Sequence, residues 1–480
     1  MTVAAAAADP PPLGAGMEAL TLDERHHRAD RASVVAAELS ARDIVAVAIT
    51  WIDTSGIARV KAVPIQRFSH AAAWGVGASP VFDAFLVDDS ILTDHFAGGP
   101  VGDLRLYPDL DRVTVLAALP GWAWAPGDRY TQNGTPHPRD PRLLLRRLVD
   151  EVRAEGWQVR TAIEFEWSVS RADPHNPDRF EPATTGPAYG MARVSELAGY
   201  LGDLVTALRD SEVTVEQIHP EYERGQFELS VAAGDPVYAA DTAVLVREVI
   251  RAVGPAHGVR AAFGSMPAAD AVGNGGHVHL SLWRHGVNQM YGGTGPFGLT
   301  AAGEGFAAGI LDHLPALLAL GCPTVASYLR LRPRSWAGAF RCWGLENREA
   351  ALRYVTGSEG ERERAANVEV KAFDAAANPY LALAGLLAAG RSGLRTGAVL
   401  PEPVAEDPGR MDEPTRSARG IDPLPTTLAA AVTAFESDDE LRAAFGAELV
   451  DTIAGVRRGE IALFADAGPE QITAASRWRY

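Results

Sequence analysis

Four short stretches of the chain carry ionisable side chains at alternate positions with apolar residues between them. The first is Thr161-Ala162-Ile163-Glu164-Phe165-Glu166-Trp167. Successive residues of a strand face opposite sides, so Glu164 and Glu166 share one face while Ile163, Phe165 and Trp167 take the other. Gln226-Phe227-Glu228-Leu229-Ser230 repeats the pattern, with Glu221 seven residues upstream of Glu228. His277-Val278-His279-Leu280-Ser281 sets two imidazoles on one face, and Asn367-Val368-Glu369-Val370-Lys371 presents Glu369. Any one of these reads as a half-buried strand with a solvated outer face. In one chain they assemble five glutamates and a histidine whose mutual repulsion calls for a cation. Carboxylate-rich sets suit hard divalent ions, Mg²⁺ or Mn²⁺, better than zinc or copper.

A second concentration of charge lies downstream. Arg330, Arg332, Arg334, Arg341, Arg348 and Arg353 crowd together in a chain whose formal net charge is −17. Alone they read as a solvated basic loop. Beside a carboxylate cluster they read as a clamp for phosphates and a substrate carboxylate, which guanidinium binds in a two-pronged fashion.

These motifs, in this order, resemble the glutamine synthetase family. The likeness runs from about Asp53 to the C-terminal end. It rests on Glu-Phe-Glu at 164–166, Glu-Tyr-Glu-Arg-Gly-Gln-Phe-Glu at 221–228 and Gly-Asn-Gly-Gly-His-Val-His-Leu-Ser at 273–281, with Asn-Arg-Glu-Ala-Ala-Leu-Arg at 347–353 and Ala-Ala-Asn-Pro-Tyr at 376–380. The resemblance implies that Glu166, Glu221 and Glu228 hold one ion, and that Glu164, His277 and Glu369 hold a second beside the nucleotide phosphates. It implies Arg330, Gly273, Asn274 and Lys371 at the glutamate site. Arg353, Arg348, His279 and Ser281 are implied at ATP, with Arg348 also meeting the phosphoryl group in transfer. Asp53 would contact the incoming amine from a neighbouring subunit, in a ring-shaped homododecamer.

The departures bear on the acceptor. Ammonia-using members carry a flap glutamate six residues after the arginine matched by Arg330; here that position is Trp336. The arginines two residues before and after the last metal glutamate become Asn367 and Lys371. These changes resemble the branch that joins glutamate to organic amines. The reading that follows is an ATP-dependent ligase. Glutamate is activated as a γ-glutamyl phosphate and captured by a small primary amine, with ethanolamine first and a polyamine second. A free amine with a pKa of about 10 is almost wholly protonated at neutral pH, so a carboxylate must accept its proton. Asp53 and Glu221 are the candidates, and Trp336 would exclude water and pack on the alkyl acceptor. Two alternatives stand: an ammonia-dependent glutamine synthetase, and an inactive glutamate- or nucleotide-sensing homologue.

The elements that must position these residues follow from pattern and punctuation. A disordered tail is expected over 1–30, a small α+β unit over 31–130 with a helix at 31–42, which the resemblance implies is a β-grasp domain, and a catalytic unit over 131–480. The fold class is α+β, and the resemblance implies that the catalytic strands form an antiparallel half-barrel sheet flanked by helices. Ile44 to Val63 alternates as two strands around Thr54-Ser55-Gly56. Gly127 to Pro141 reads as a linker, and Asp140-Pro141 opens a helix. Further helices are expected over Asp241–Val253, over Ala301–Leu320 with a break at Pro315, and after Asn378-Pro379. Pro401 to Pro425 reads as loop, followed by a helical pair.

At 480 residues and 47% hydrophobic composition the chain can bury a large core. The acidic balance opposes nucleic-acid binding, and no run approaches a membrane span. With no signal-peptide pattern and two cysteines, Cys322 and Cys342, a cytoplasmic location is expected.

Overall fold

The computed structural model describes residues 19–92 and 101–480. The first 18 residues of the expected tail lie outside the described residues. The remainder is not a tail: a helix spans Leu22–Ser40, nine residues ahead of the expected start. Thr21 and Glu24 explain this, because they form a capping box that satisfies the first free N–H groups.

The N-terminal unit is built on a six-stranded sheet. Its strands are β1 (Ala46–Ile52), β2 (Ala58–Pro64), β3 (Val76–Ala78), β4 (Leu104–Pro108), β5 (Thr114–Val115) and β6 (Trp122–Thr131). They run in the order β2-β1-β6-β4-β3, with β5 on β6. β1 and β2 form the expected hairpin, and β1 pairs with β6 in parallel. Helices Leu22–Ser40 and Phe68–Trp74 contribute Ala32, Leu39, Phe68 and Ala72 to a core with Val47, Ile49 and Leu106. The expected linker at 127–141 begins as strand, since β6 runs through Thr131.

The second unit carries a ten-stranded sheet with β7 (Gln158–Arg171) in the middle. The other strands are β8 (Val215–Pro220), β9 (Gln226–Val231), β10 (Val259–Ala262), β11 (Gly276–Arg284), β12 (Val287–Asn288), β13 (Phe340–Leu345), β14 (Ala350–Val355), β15 (Asn367–Val370) and β16 (Asp422–Pro423). Their order is β16-β13-β14-β15-β11-β7-β9-β8, with β10 on β7 and β12 on β11. All pairs are antiparallel except β13 with β14. The sheet forms the expected half-barrel.

One face of this sheet is packed on helices. Ile163, Phe165, Trp167, Val278 and Leu280 point into the core with Leu144, Leu148, Leu317 and Leu383. Each such side chain contributes roughly 1.5–3 kcal/mol on burial, and that fixes which face is left for the carboxylates. Helix Pro236–Val253 starts five residues earlier than expected, because Asp235 caps it and Pro236 fills its first turn. Helix Ala301–Gly321 runs unbroken through Pro315. The flanking Leu314, Ala316 and Leu317 are fully buried, so packing outweighs the lost backbone bond. The 401–425 segment contains a short helix, Glu413–Ala418, besides β16, and four helices rather than two close the chain. Among the described residues no helix is long and apolar enough to cross a membrane.

A buried arginine ties the two units together. Arg142, on helix Pro141–Ala154, binds both carboxylate oxygens of Asp241 at 2.9 Å, and reaches Asp109 and Asp128 of the N-terminal unit at 2.6 Å.

Candidate functional site

The strand order β15-β11-β7-β9 decides which ligating residues meet. In register, His277 lies opposite Glu164, Glu369 opposite His279, and Glu166 opposite Glu228. All of these project from the face away from the core into a cavity of about 1250 Å³. Glu164, His277 and Glu369 offer atoms within 4.8 Å of one another, as the resemblance implied. The other set is arranged differently from expectation. Glu166 and Glu228 group with His277, whereas Glu221 groups with Glu228 and His219. His219 Nε2 lies 3.1 Å from Glu228 Oε1, and its Nδ1 lies 3.6 Å from Glu221 Oε1.

The electrostatics support a cation here. Burial, together with Glu164, Glu166 and Glu221, pushes the Glu228 carboxyl up to about 11. Burial also opposes charge on Glu164, but His277 and His279 outweigh it and hold its carboxyl far below the usual range. Burial and the nearby Glu166 raise the Glu221 carboxyl. Four carboxylates in one buried wall therefore cannot all ionise without positive charge between them. Oxygen donors with one or two imidazoles fit Mg²⁺ or Mn²⁺.

Glu369 already has cations beside it. Lys371 Nζ donates to Oε1 at 3.0 Å, and Arg353 Nη1 to Oε2 at 2.9 Å. Burial opposes its charge, but Lys371, His279 and His277 prevail and hold it down at about 2. His279 pairs with Asn367 Oδ1 at 2.9 Å and with Glu164 Oε2 at 3.3 Å. Arg330 is buried at the cavity wall; Nη1 donates to the Ala372 carbonyl at 3.1 Å and Nη2 to His277 Nε2 at 3.3 Å. Arg332, Arg334 and Arg348 are exposed and also line the cavity. The glycines of the 273–276 run are steric necessities. A Cβ on Gly275 would lie 2.4 Å from His277 Nε2, and the Gly275 N–H donates to Glu166 Oε2 at 2.6 Å.

Trp336 sits on the 332–338 loop, 58% exposed, and lines the cavity. Arg334 and Trp336 are both left-handed, with φ of 61° and 54°. Such residues cost about 1–3 kcal/mol each and persist where surrounding structure holds them. The Trp336 N–H donates to Glu349 Oε1 at 2.9 Å.

Three expected site residues are not brought to this cavity. The Asn274 side chain is fully buried and spent on the fold. Its oxygen accepts from Ser168 Oγ and Gln226 Nε2, and its amide donates to the Ala262 and Gly264 carbonyls. Ser281 is buried beneath Trp283 Nε1, which donates to it at 2.8 Å. Asp53 lies on the β1–β2 hairpin, buried, with Arg59 Nε donating to it at 2.7 Å and the Ile57 N–H at 2.9 Å. Burial pushes its carboxyl up to about 6 despite Arg59. Gly273, Lys371, Arg353 and His279 do line the cavity.

Sequence reasoning missed His219, Tyr189 and Gln226. His219 stands two residues before Glu221, the same alternate spacing that flagged the other strands. Gln226 Nε2 bridges Glu166 Oε2 and the Gly273 carbonyl, at 3.2 and 2.7 Å. Tyr189 carried no local signal. It reaches the site from the turn before helix Met191–Glu196, and its hydroxyl faces Glu221.

A half-barrel whose polar face joins a carboxylate–imidazole cluster to an arginine wall has the groups to hold divalent ions, phosphates and a carboxylate, and the comparisons make the chain an ATP-dependent carbon–nitrogen ligase. The chain belongs to the glutamine synthetase family: the family model "Glutamine synthetase, catalytic domain" matches residues 138–474. It is 53% identical over 452 residues to a γ-glutamylpolyamine synthetase of Streptomyces coelicolor, covering 94% of this chain and 97% of that protein. It is 30% identical over 416 residues to a glutamate–methylamine ligase of Methyloversatilis universalis, covering 82% and 88%. A solved structure described as a novel glutamine synthase homologue superimposes with a TM-score of 0.80 at 35% identity, covering 90% of this chain and 97% of that one.

Proposed function

We propose that this ligase joins the γ-carboxylate of glutamate to a polyamine, with simpler primary amines as poorer acceptors. The observation that carries the acceptor reading is Trp336, an exposed indole on the cavity wall where ammonia users hold a carboxylate. Two features favour a polyamine over ethanolamine, the acceptor first suggested by the sequence. One is the likeness to a γ-glutamylpolyamine synthetase over almost the whole chain. The other is the cavity lining, where Asp270, Tyr189 and Tyr222 stand alongside Glu221 and suit a second ammonium group.

The roles divide as follows. Glu164, His277 and Glu369 hold one divalent ion, and Glu166, Glu221 and Glu228, with His219 at hand, hold another. Bound there, the ions would offset phosphate charge and orient the γ-phosphoryl group. Arg330 receives the carboxylate of glutamate, Arg348 steadies the phosphoryl group in transfer, and Arg353 meets the nucleotide phosphates. The glutamate γ-carboxylate takes the phosphoryl group and becomes an acyl phosphate. Glu221, on the cavity wall beside Tyr189 and Tyr222, accepts the proton of the attacking ammonium. The amine nitrogen then displaces phosphate. Trp336 excludes water from the acyl phosphate. Asp53, buried and paired with Arg59, would serve the acceptor site of a neighbouring subunit through the β1–β2 hairpin it braces, in a closed ring of the kind heterologous contacts generate.

The test is ADP release and amide formation with glutamate and Mg²⁺ against ammonium, methylamine, ethanolamine, putrescine and spermine. The expected outcome is the highest kcat/KM for a polyamine and loss of turnover on chelation, restored by Mg²⁺ or Mn²⁺. Efficient glutamine synthesis with every organic amine ignored would identify an ammonia-dependent enzyme instead.

A further inference from the structure

The indole of Trp336 is not held by packing, since more than half of it is open to solvent. What holds it must act through the backbone. Between Arg332 and Gly338 the chain adopts a left-handed conformation at Arg334, Trp336 and Gly338, an arrangement that two non-glycine residues do not take up unaided. Two backbone N–H groups of this loop face Glu349: that of Trp336 donates to Oε1 at 2.9 Å, and that of Arg334 also points at the carboxylate.

Glu349 is well placed to be an anchor. It is 6% exposed, at the entry to β14, next to Arg348. Its own N–H donates to Asn347 Oδ1 at 3.0 Å. Asn347 Nδ2 in turn donates to the Val404 and Glu406 carbonyls at 2.8 and 3.0 Å. Glu349 Oε2 is buried and makes no hydrogen bond among the described residues, and the backbone N–H groups that face this carboxylate, those of Trp336 and Arg334, both belong to the flap. Glu349 does not line the cavity, which excludes direct contact with substrate in this conformation.

We propose that Glu349 is a positioning residue for the acceptor flap: through the Trp336 N–H it fixes the 332–338 loop so that the indole closes the acceptor side of the cavity. The functional half of this inference rests on the acceptor reading given above; the structural half does not. A carboxylate at 349 and an indole at 336 then form one device, in which the anchor sets how tightly the acyl phosphate is shielded from water.

Hydrogen–deuterium exchange across residues 332–340 tests the structural half on the assembled enzyme. Loss of a charge-assisted hydrogen bond corresponds to about a ten- to hundredfold change in the opening equilibrium. Glu349→Ala should speed exchange of the Trp336 amide by about that factor. Glu349→Gln, which keeps an acceptor oxygen in the same place, should retain most of the protection. The same variants should raise the KM for the acceptor amine about tenfold in Glu349→Ala. They should also increase ADP released per amide formed, with KM for ATP unchanged; Glu349→Gln should restore coupling. Should Glu349→Ala not fold, Glu349→Asp shortens the reach by one methylene and serves in its place. Unchanged exchange in the Ala or Asp variant overturns the anchor. Faster exchange with unchanged amine KM and coupling overturns its role at the acceptor. If no organic amine is used at all, the exchange result still stands alone, and only the acceptor reading falls.

Discussion

Glu228 offers a direct test of whether the carboxylate wall is built around a cation. Its carboxyl is pushed up to about 11 by burial and by Glu164, Glu166 and Glu221, whereas an unfolded glutamate titrates near 4.5. The folded, ion-free protein therefore keeps a proton there that the unfolded chain gives up. Stability changes with pH in proportion to protons bound by the unfolded minus the folded state. That difference is −1 for Glu228 between its two pKa values, so ion-free stability should fall as pH rises through this window. The slope is about 1.4 kcal/mol per pH unit. For a unit of this size that corresponds to roughly 2 °C in Tm per pH unit.

Other groups titrate in the same direction, among them Glu460 at about 7 and Asp53 at about 6. The comparison with Glu228→Gln removes them. In chelator, between pH 7 and 9, the variant should gain on the wild type by roughly 2 °C per pH unit in a thermal melt. Adding Mg²⁺ or Mn²⁺ should stabilise the wild type more than the variant, which keeps only the Glu164–His277–Glu369 site whole. Calorimetric titration of the ion, in buffers of different ionisation enthalpy, should report about one proton released on binding to the wild type. Parallel Tm profiles for the two proteins, with no proton released, would refute the reading of this wall as an ion site.

Trp336→Glu should shift kcat/KM toward ammonium relative to organic amines by about tenfold or more, read from ADP release. The change restores a negative charge where an ammonium ion must be trapped. Asn274→Ala should behave as a fold variant, lowering stability by about 2–4 kcal/mol in a thermal melt, because it strips several buried hydrogen bonds at once. If Asp53 serves a neighbour's site, Asp53→Asn and Glu228→Gln, each inactive alone, should regain part of the activity when co-assembled. A fully active monomer in light scattering would exclude that sharing.

How far the site was legible depended on whether its geometry is local. Alternation along β7, β9, β11 and β15 sets which residues share a face, and that pattern needs only the pleat of a strand. Which carboxylates meet each other depends on register between strands distant in sequence. Alternation says nothing about register, and so the Glu221 ligand set was expected without His219. Asn274 and Ser281 show the converse limit. Both stand in family motifs, yet the fold spends the Asn274 side chain tying the segment before β11 to β7, β9 and the end of β10, and turns Ser281 under Trp283. The helix at Leu22 was locally encoded and missed, because its capping box precedes the residues where apolar periodicity begins. Trp336 is the instructive case. Its chemistry could be read from one position in the sequence, but its orientation depends on a bond to Glu349, thirteen residues away across the β13–β14 connection. A residue's type can announce what it would do at a site. Whether it is held there depends on long-range contacts, and for Trp336 the contact that decides is made by its backbone.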